Sequence, residues 1–587
     1  MKNVKTFALN AVALGLPFAL AACGGNGDAG TAPPPVTPPA SLALSGTAAT
    51  GAAIAGGAVT AKCAAGAAAT ATTGPDGRYS ISVSAGALPC ALQVTSSDGG
   101  TTLYSVASGS GDSATANITP LTQLVVASLT GADPAALFTG FDAAGAGKIT
   151  TGDLTKAQAS VVATLSAAGV DVGSLGDLVT GTLTAATPTA AGNAYDAALD
   201  ALQARLAASK DSDGSAMTLA TLTATVAATS PAAPAPAATA KASLPADLLL
   251  KPAASTCAAL RSTRYRVVMP QPGAALADQV DVATLDAATL AITYADGSTD
   301  QLTPHSTEAC RFTDATGKSD IVVSPAGVIA LRSYDAATAR YKAGIAFPVQ
   351  AHTLAELAGD WNTLGLQYDG TSAYVGATSS GTFGATGAIT SASSCGDAGD
   401  WNVTVCSSVT SGLPALQADA AGGFDAFGPG SSTPGARTFA YRSGSGDLMM
   451  VNVDDDGSFE IRTPAKAVDA PAVGRVSTTW DLRSSNTWLA TPAVSESTNT
   501  VQAVDATGAS YTRLSGTVGG SDEHVETVQL NNPRSGYNFR AAATVTGTDG
   551  TTVVNVSEWT NLPVRGMGLN ALLRPASRQF MFSVQQP

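Results

Sequence analysis

Thr73-Gly74-Pro75-Asp76-Gly77-Arg78-Tyr79-Ser80-Ile81-Ser82-Val83 is a tight turn running into a strict alternation. Asp76-Gly77 supplies the positive φ that a short hairpin needs. Tyr79, Ile81 and Val83 then fall on one face of a strand, and Ser80 and Ser82 on the other. A strand with one apolar face must bury it against a second layer, and the flanking sequence provides one. Upstream stand Leu42-Ala43-Leu44 and Ala58-Val59-Thr60-Ala61; downstream stand Leu92-Gln93-Val94 and Thr102 to Val106, all separated by Gly-containing turns. About seven short strands spaced this closely predict a two-sheet sandwich over residues 41–120.

Gly46-Thr47, Gly57-Ala58-Val59-Thr60-Ala61 and Thr73 to Ile81 resemble the carboxypeptidase-regulatory-like, transthyretin-like β-sandwich. The resemblance implies a noncatalytic accessory module that spaces or binds. An immunoglobulin-like sandwich is the neighbouring alternative.

Beyond Pro120 the apolar period changes from two to between three and four. Leu154, Ala157, Val161, Val162 and Leu165 form one helical stripe, and Tyr195, Leu199, Leu202 and Leu206 another. Residues 121–230 therefore read as a small helical module. Within it, Asp142 to Asp153 has the length and the central Gly147 of an EF-hand loop. Ala144 and Ala146 replace two ligands, and Asp153 replaces the bidentate Glu, which leaves little calcium affinity.

The Pro- and Ala-rich segment 231–242 reads as a linker. After it the chain returns to β: Tyr265-Arg266-Val267-Val268, Leu290-Ala291-Ile292-Thr293-Tyr294, Ile321-Val322-Val323 and Val328-Ile329-Ala330-Leu331. Turns with Gly recur irregularly, so several hairpin-connected sheets are expected rather than a solenoid or propeller. The body divides into β domains at 243–350, 351–470 and 471–587. Leu354 to Asn362 contains Gly359-x-Trp361 after a helical turn and is similar to the start of a lipocalin barrel. That likeness implies a small apolar ligand held near Trp361, with Trp401 as a second candidate contact. Otherwise both rings are core residues, and Trp480, Trp488 and Trp559 belong to the last β segment.

The N-terminus names a compartment. Lys2 and Lys5 precede an apolar run from Phe7 to Leu20, the pattern of an export signal over residues 1–22. Leu20-Ala21-Ala22-Cys23 resembles the lipobox of bacterial lipoproteins, which implies acylation of Cys23 by diacylglycerol and a further fatty acyl chain such as palmitate. Several acyl chains anchor stably where one does not. Gly24 after the Cys resembles the outer-membrane address. Residues 23–40, with five prolines, read as a tether. Six further cysteines form close sequential pairs, Cys63 with Cys90, Cys257 with Cys310 and Cys395 with Cys406. Disulfides in an oxidising envelope fit them better than metal ligands, because no CxxC spacing occurs.

The chain of 587 residues is 13% charged and has a formal charge of −14, which removal of Lys2 and Lys5 takes to −16. An acidic surface without a basic cluster argues against nucleic acid as a partner. His305, His352 and His524 are the three histidines, and none stands in HExxH. His524 reads as a polar turn. No G-x-S-x-G elbow occurs, and Gly317-Lys318-Ser319 lacks the first Gly of a phosphate loop. Asp454-Asp455-Asp456-Gly457 reads as a solvated hairpin turn. The expected fold is mainly β and multidomain, with no cofactor or metal. The expected function is a lipid-anchored envelope protein that binds, without catalysis, an envelope glycan or protein. An envelope glycan- or peptide-acting enzyme with unidentified acids, and a lipocalin-like carrier, are the alternatives.

Overall fold

The opening turn passes from one sheet to the other instead of closing a hairpin: Ala69–Thr72 before it lies in the facing sheet, while Arg78–Ser84 after it pairs antiparallel with Ser41–Thr47, which pairs parallel with Ser113–Thr115. The facing sheet has the strands Ala69–Thr72, Ala58–Ala65, Ala87–Thr95 and Thr102–Ala107 in that order. Tyr79, Ile81 and Val83 are buried against Val59, Leu92 and Val94. The computed structural model describes residues 41–237, 239–271, 273–335, 340–371, 373–395, 406–485 and 494–587. Cys23, Trp401 and Trp488 lie outside the described residues. Residues Ala40–Pro587 pack as one unit.

The helices continue the sandwich core. Pro120–Thr130 begins on a reciprocal cap between Thr119 and Thr122 and stops at Gly131, whose φ of 61° is left-handed. Its Leu121, Leu124 and Val125 join the sandwich residues and Leu154, Val161 and Leu165 of Thr151–Ala167 in one cluster. Asp142 and Asp153, the ends of the calcium-like loop, do helical work. Asp142 caps Ala143–Gly147 by accepting from the Gly145 amide, while Asp153 pairs with Lys156 inside the longer helix. The segment 231–242 lies against other parts of the fold. The Pro236 carbonyl accepts from Arg565 at 3.2 Å, and Lys241 meets Asp213 at 2.9 Å.

The rest of the chain forms three antiparallel sheets in tandem, mainly β as the sequence predicts. In each, the first strand pairs with the last: Thr263–Val268 with Arg340–Pro348, Gly359–Tyr368 with Phe459–Pro464, and Val476–Ser485 with Gln579–Gln585. The third is a closed barrel. The first two are open, but their edges are chain neighbours. Thr299–Gln301 and Thr303–Pro304, the edges of the first, are separated only by Leu302. A nine-stranded sheet whose edges meet in sequence must curl round on itself, and both open sheets are rolled in this sense.

Both faces of these rolls are used. Val322, Ala330, Ile345 and Phe347 of the first roll, Leu364, Tyr441, Val451 and Phe459 of the second, and Trp480, Leu482, Phe580 and Phe582 of the barrel share one apolar core. Phe459 stands edge-on to Phe580 and Phe582, with centroids 6.0 Å away in each case. The core thus joins the three rolls by their outer faces. Full burial of each such ring contributes about 1.5 to 3 kcal/mol. Disulfides join Cys63 to Cys90, Cys257 to Cys310 and Cys395 to Cys406.

Candidate functional site

Alternation leaves each roll a concave face, and the three are chemically different. In the second roll, Trp361, Phe383, Leu416, Phe424 and Met450 converge into a small apolar cluster closed by Leu357. The Trp361 indole donates to the Leu357 carbonyl at 2.8 Å and meets Phe383 edge-on. Trp361 is therefore packed on all sides, which a plug residue and a plain core residue have in common. The acid run nearby is only partly a solvated turn. Asp455 and Asp456 are exposed, whereas the Asp454 carboxylate takes a hydrogen bond from Asn452 at 2.7 Å. Burial, with Glu460 beside it, pushes the Asp454 carboxyl up to about 7.

The barrel carries charge inward. His524–Leu530 alternates strictly, with His524, Glu526, Val528 and Leu530 buried. His524 is thus a buried strand residue rather than part of a surface turn, since the strand begins one residue earlier than its polar neighbours suggest. Glu526 is held by Arg513 at 2.6 Å and by Arg540, and both guanidiniums lie over the Trp559 ring. Burial raises the Glu526 carboxyl, but the two arginines outweigh it and hold it below the ordinary glutamate range. His305 lies 3.6 Å from Glu308, His352 3.5 Å from Glu356 and His524 3.4 Å from Glu526. Each histidine thus has its own carboxylate. Among the described residues, no three His, Cys, Asp or Glu side chains are grouped to hold a metal ion.

The first roll lines an apolar space of about 110 Å³ that opens to solvent at its mouth. Its lining follows the register. Val267 lies opposite Ala346, which lies opposite Ile329; Leu331 lies opposite Ile321; and Leu285 lies opposite Ile292. Tyr265, Ala283 and Leu302 complete the wall, and Tyr294, Asp300, Asp314, Ser319 and Ser333 bring polar atoms to it. Sequence reading placed a ligand near Trp361 and missed this roll. The signal was the unbroken apolar runs Ile321-Val322-Val323 and Val328 to Leu331, which mark strands buried on both faces.

No family model matches the chain, and no curated protein matches it. Among solved structures, it is similar to the isotype 1 transferrin binding protein B of serogroup B Neisseria meningitidis. The identity is 10% and the TM-score 0.18, over 52% of this chain and 66% of that one. A double mutant of the transferrin binding protein B vaccine antigen from Haemophilus parasuis Hp5 follows at 11% identity and TM-score 0.15, with the same coverages. A TM-score so far below one half says nothing about what this chain binds. Among the described residues, no helix is long and apolar enough to cross a membrane.

Proposed function

We propose that this is a noncatalytic binding protein of the bacterial envelope, anchored through acylated Cys23 in the outer membrane, with residues 23–40 as tether. The sandwich over 41–120 serves as a carboxypeptidase-regulatory-like accessory module. The body over 243–587 carries the binding function. The observation that supports binding is the apolar space of the first roll, which a merely structural sheet of this size would fill with its own side chains.

A neutral apolar fluorophore, N-phenyl-1-naphthylamine, tests it. The chain is expected to brighten the dye saturably, and Ala283→Phe, which fills the space from the Val280–Asp286 strand, is expected to abolish this with the melting temperature preserved. A dye that stays dark with the native chain refutes the site. The anchor is tested separately by membrane fractionation. Cys23→Ala is expected to release the protein from the membrane fraction, and continued sedimentation with membranes would refute lipidation as the attachment.

A further inference from the structure

We infer that the first roll takes a small apolar ligand bearing a positive charge, an amphiphilic or aromatic amine, with Asp300 as its principal counter-charge and Asp314 adding its field. The inference rests on the binding role proposed for this roll and adds the ligand's class.

Three observations carry it. Among the described residues, the lining contains two carboxylates and neither lysine nor arginine. Strand alternation turns two of the sheet's cations away from the lining. Arg311 and Arg332 sit on the other face, where Arg311 pairs with Glu308 at 2.6 Å and both grip Asp320. Lys342 shares the lining face with Ser333 opposite it and donates to the Gln271 side chain at 3.0 Å. Asp300 and Asp314, by contrast, have no lysine or arginine in ion-pair range among the described residues.

The acids are also gathered at one place. Asp300, Asp314 and Tyr294 line the same space, and the negative charges of the two acids and Asp281 add to burial in pushing the Tyr294 hydroxyl up. Asp300 stands on the edge strand and lies across the register from Ile292, an apolar lining residue. An ammonium at Asp300 would therefore leave its hydrocarbon against Ile292 and Leu285. Asp314 is committed to its own turn, accepting from the Lys318 and Ser319 amides at 3.0 and 3.2 Å, from the Ser319 hydroxyl at 2.8 Å and from the Thr316 hydroxyl at 2.9 Å, so Asp300 is the principal counter-charge and Asp314 adds only its field. Asp300 accepts from the Gln301 amide at 2.7 Å, a contact an Asn side-chain oxygen can keep. A low-dielectric wall strengthens a charge pair relative to water, and a chain of net charge −14 draws cations to it. An anionic ligand in the same space would have to sit against unneutralised carboxylates.

The test is competition for bound N-phenyl-1-naphthylamine at low salt. The chain carries Cys23→Ala, so that neither acyl chains nor detergent compete, and the competitors are decylammonium, decanol and decanoate below their aggregation limits. Decylammonium is expected to displace the dye at a concentration at least about tenfold below decanoate, and below decanol. Asp300→Asn is expected to shrink that advantage severalfold while leaving decanol unchanged, and added salt to shrink it in the native chain. Decanol equal to or better than decylammonium overturns the cationic class, as does an unchanged ranking in Asp300→Asn. Either result leaves the pocket standing as an apolar site. Failure of the dye itself to bind overturns the pocket and the inference together, so the two failures are distinguishable. Should Asp300→Asn unfold, Asp300→Ser supplies the same readout with a smaller uncharged side chain.

Discussion

Two carboxylates in the body are tuned in opposite directions by what surrounds them. Asp454, pushed up to about 7 by burial and Glu460, is neutral in the folded chain at pH values where an unfolded Asp has already ionised, near 4. Between those values the native state holds the extra proton, so stability falls as pH rises from about 4 to about 7. Asp454→Asn keeps the hydrogen bond from Asn452 within reach and removes the titration. Denaturant unfolding at pH 4.5 and 7.5 is expected to show the native chain losing about 1 to 2 kcal/mol more than the variant across that interval. Equal losses would rule out Asp454 as the source. Glu526 behaves oppositely, because Arg513 and Arg540 hold its carboxyl low. Its contribution is present above the unfolded value near 4.3 and is lost as pH falls through the folded one. Glu526→Ala leaves two guanidiniums buried without their partner and is expected to cost about 3 to 5 kcal/mol at neutral pH, read as a shifted urea midpoint. A shift no larger than that of an exposed control such as Glu496→Ala would show that water already screens the pair.

Elements show how far the sequence could be read. The strand Arg78–Ser84 was legible residue by residue, since its burial alternates as its chemistry does. Of its turn, the positive φ was legible but not the crossing between sheets, because the same glycine serves a hairpin and a sheet-to-sheet turn. Gly77 has a φ of 77°, and a Cβ there would stand 2.5 Å from the Ala48 carbonyl oxygen. Gly77→Ala is therefore expected to destabilise the sandwich by about 1 to 3 kcal/mol through strain and the close approach, seen as a lowered melting temperature. An unchanged melt would mean the turn rearranges freely. The helical stripes ending near Gly169 and Leu206 likewise became Thr151–Ala167 and Ala194–Ala208. Pro120–Thr130 was harder, because every one of its residues is buried and such a helix shows no stripe. The same difficulty hid the first roll's apolar space. Strands buried on both faces lose the alternation that tells inside from outside, so the sequence could mark Val328 to Leu331 as β without showing that Ile329 and Leu331 face a space. Trp361 drew notice because tryptophan is rare, whereas the pocket is built of common aliphatic residues and two aspartates brought together across seven strands.

At the scale of the whole molecule, the three rolls are joined by buried hydrogen bonds as well as by their common core. Tyr441 of the second roll donates to the Ala326 carbonyl of the first at 2.7 Å. Tyr537 of the barrel reaches the second roll, donating toward the Thr363 carbonyl at 2.7 Å and accepting from the Thr363 amide at 3.1 Å. Both rings are fully buried, so each hydroxyl satisfies backbone groups that water cannot reach. Sheets that bury their outer faces on one another would expose that core if one opened alone. Residues 257–587 are therefore expected to unfold in one cooperative step, with calorimetric and van't Hoff enthalpies equal for that step. Tyr537→Phe keeps the ring and removes the hydroxyl. It leaves Thr363 groups unsatisfied and is expected to cost about 1 to 3 kcal/mol. The decisive feature is where the cost appears. If the rolls act as one body, Tyr537→Phe lowers the transition reported by Trp361, in the second roll, as much as that reported by Trp480 and Trp559, in the barrel. A variant that lowers the barrel signal while leaving Trp361 unmoved would show three independently stable rolls, and the shared core would then be contact without coupling.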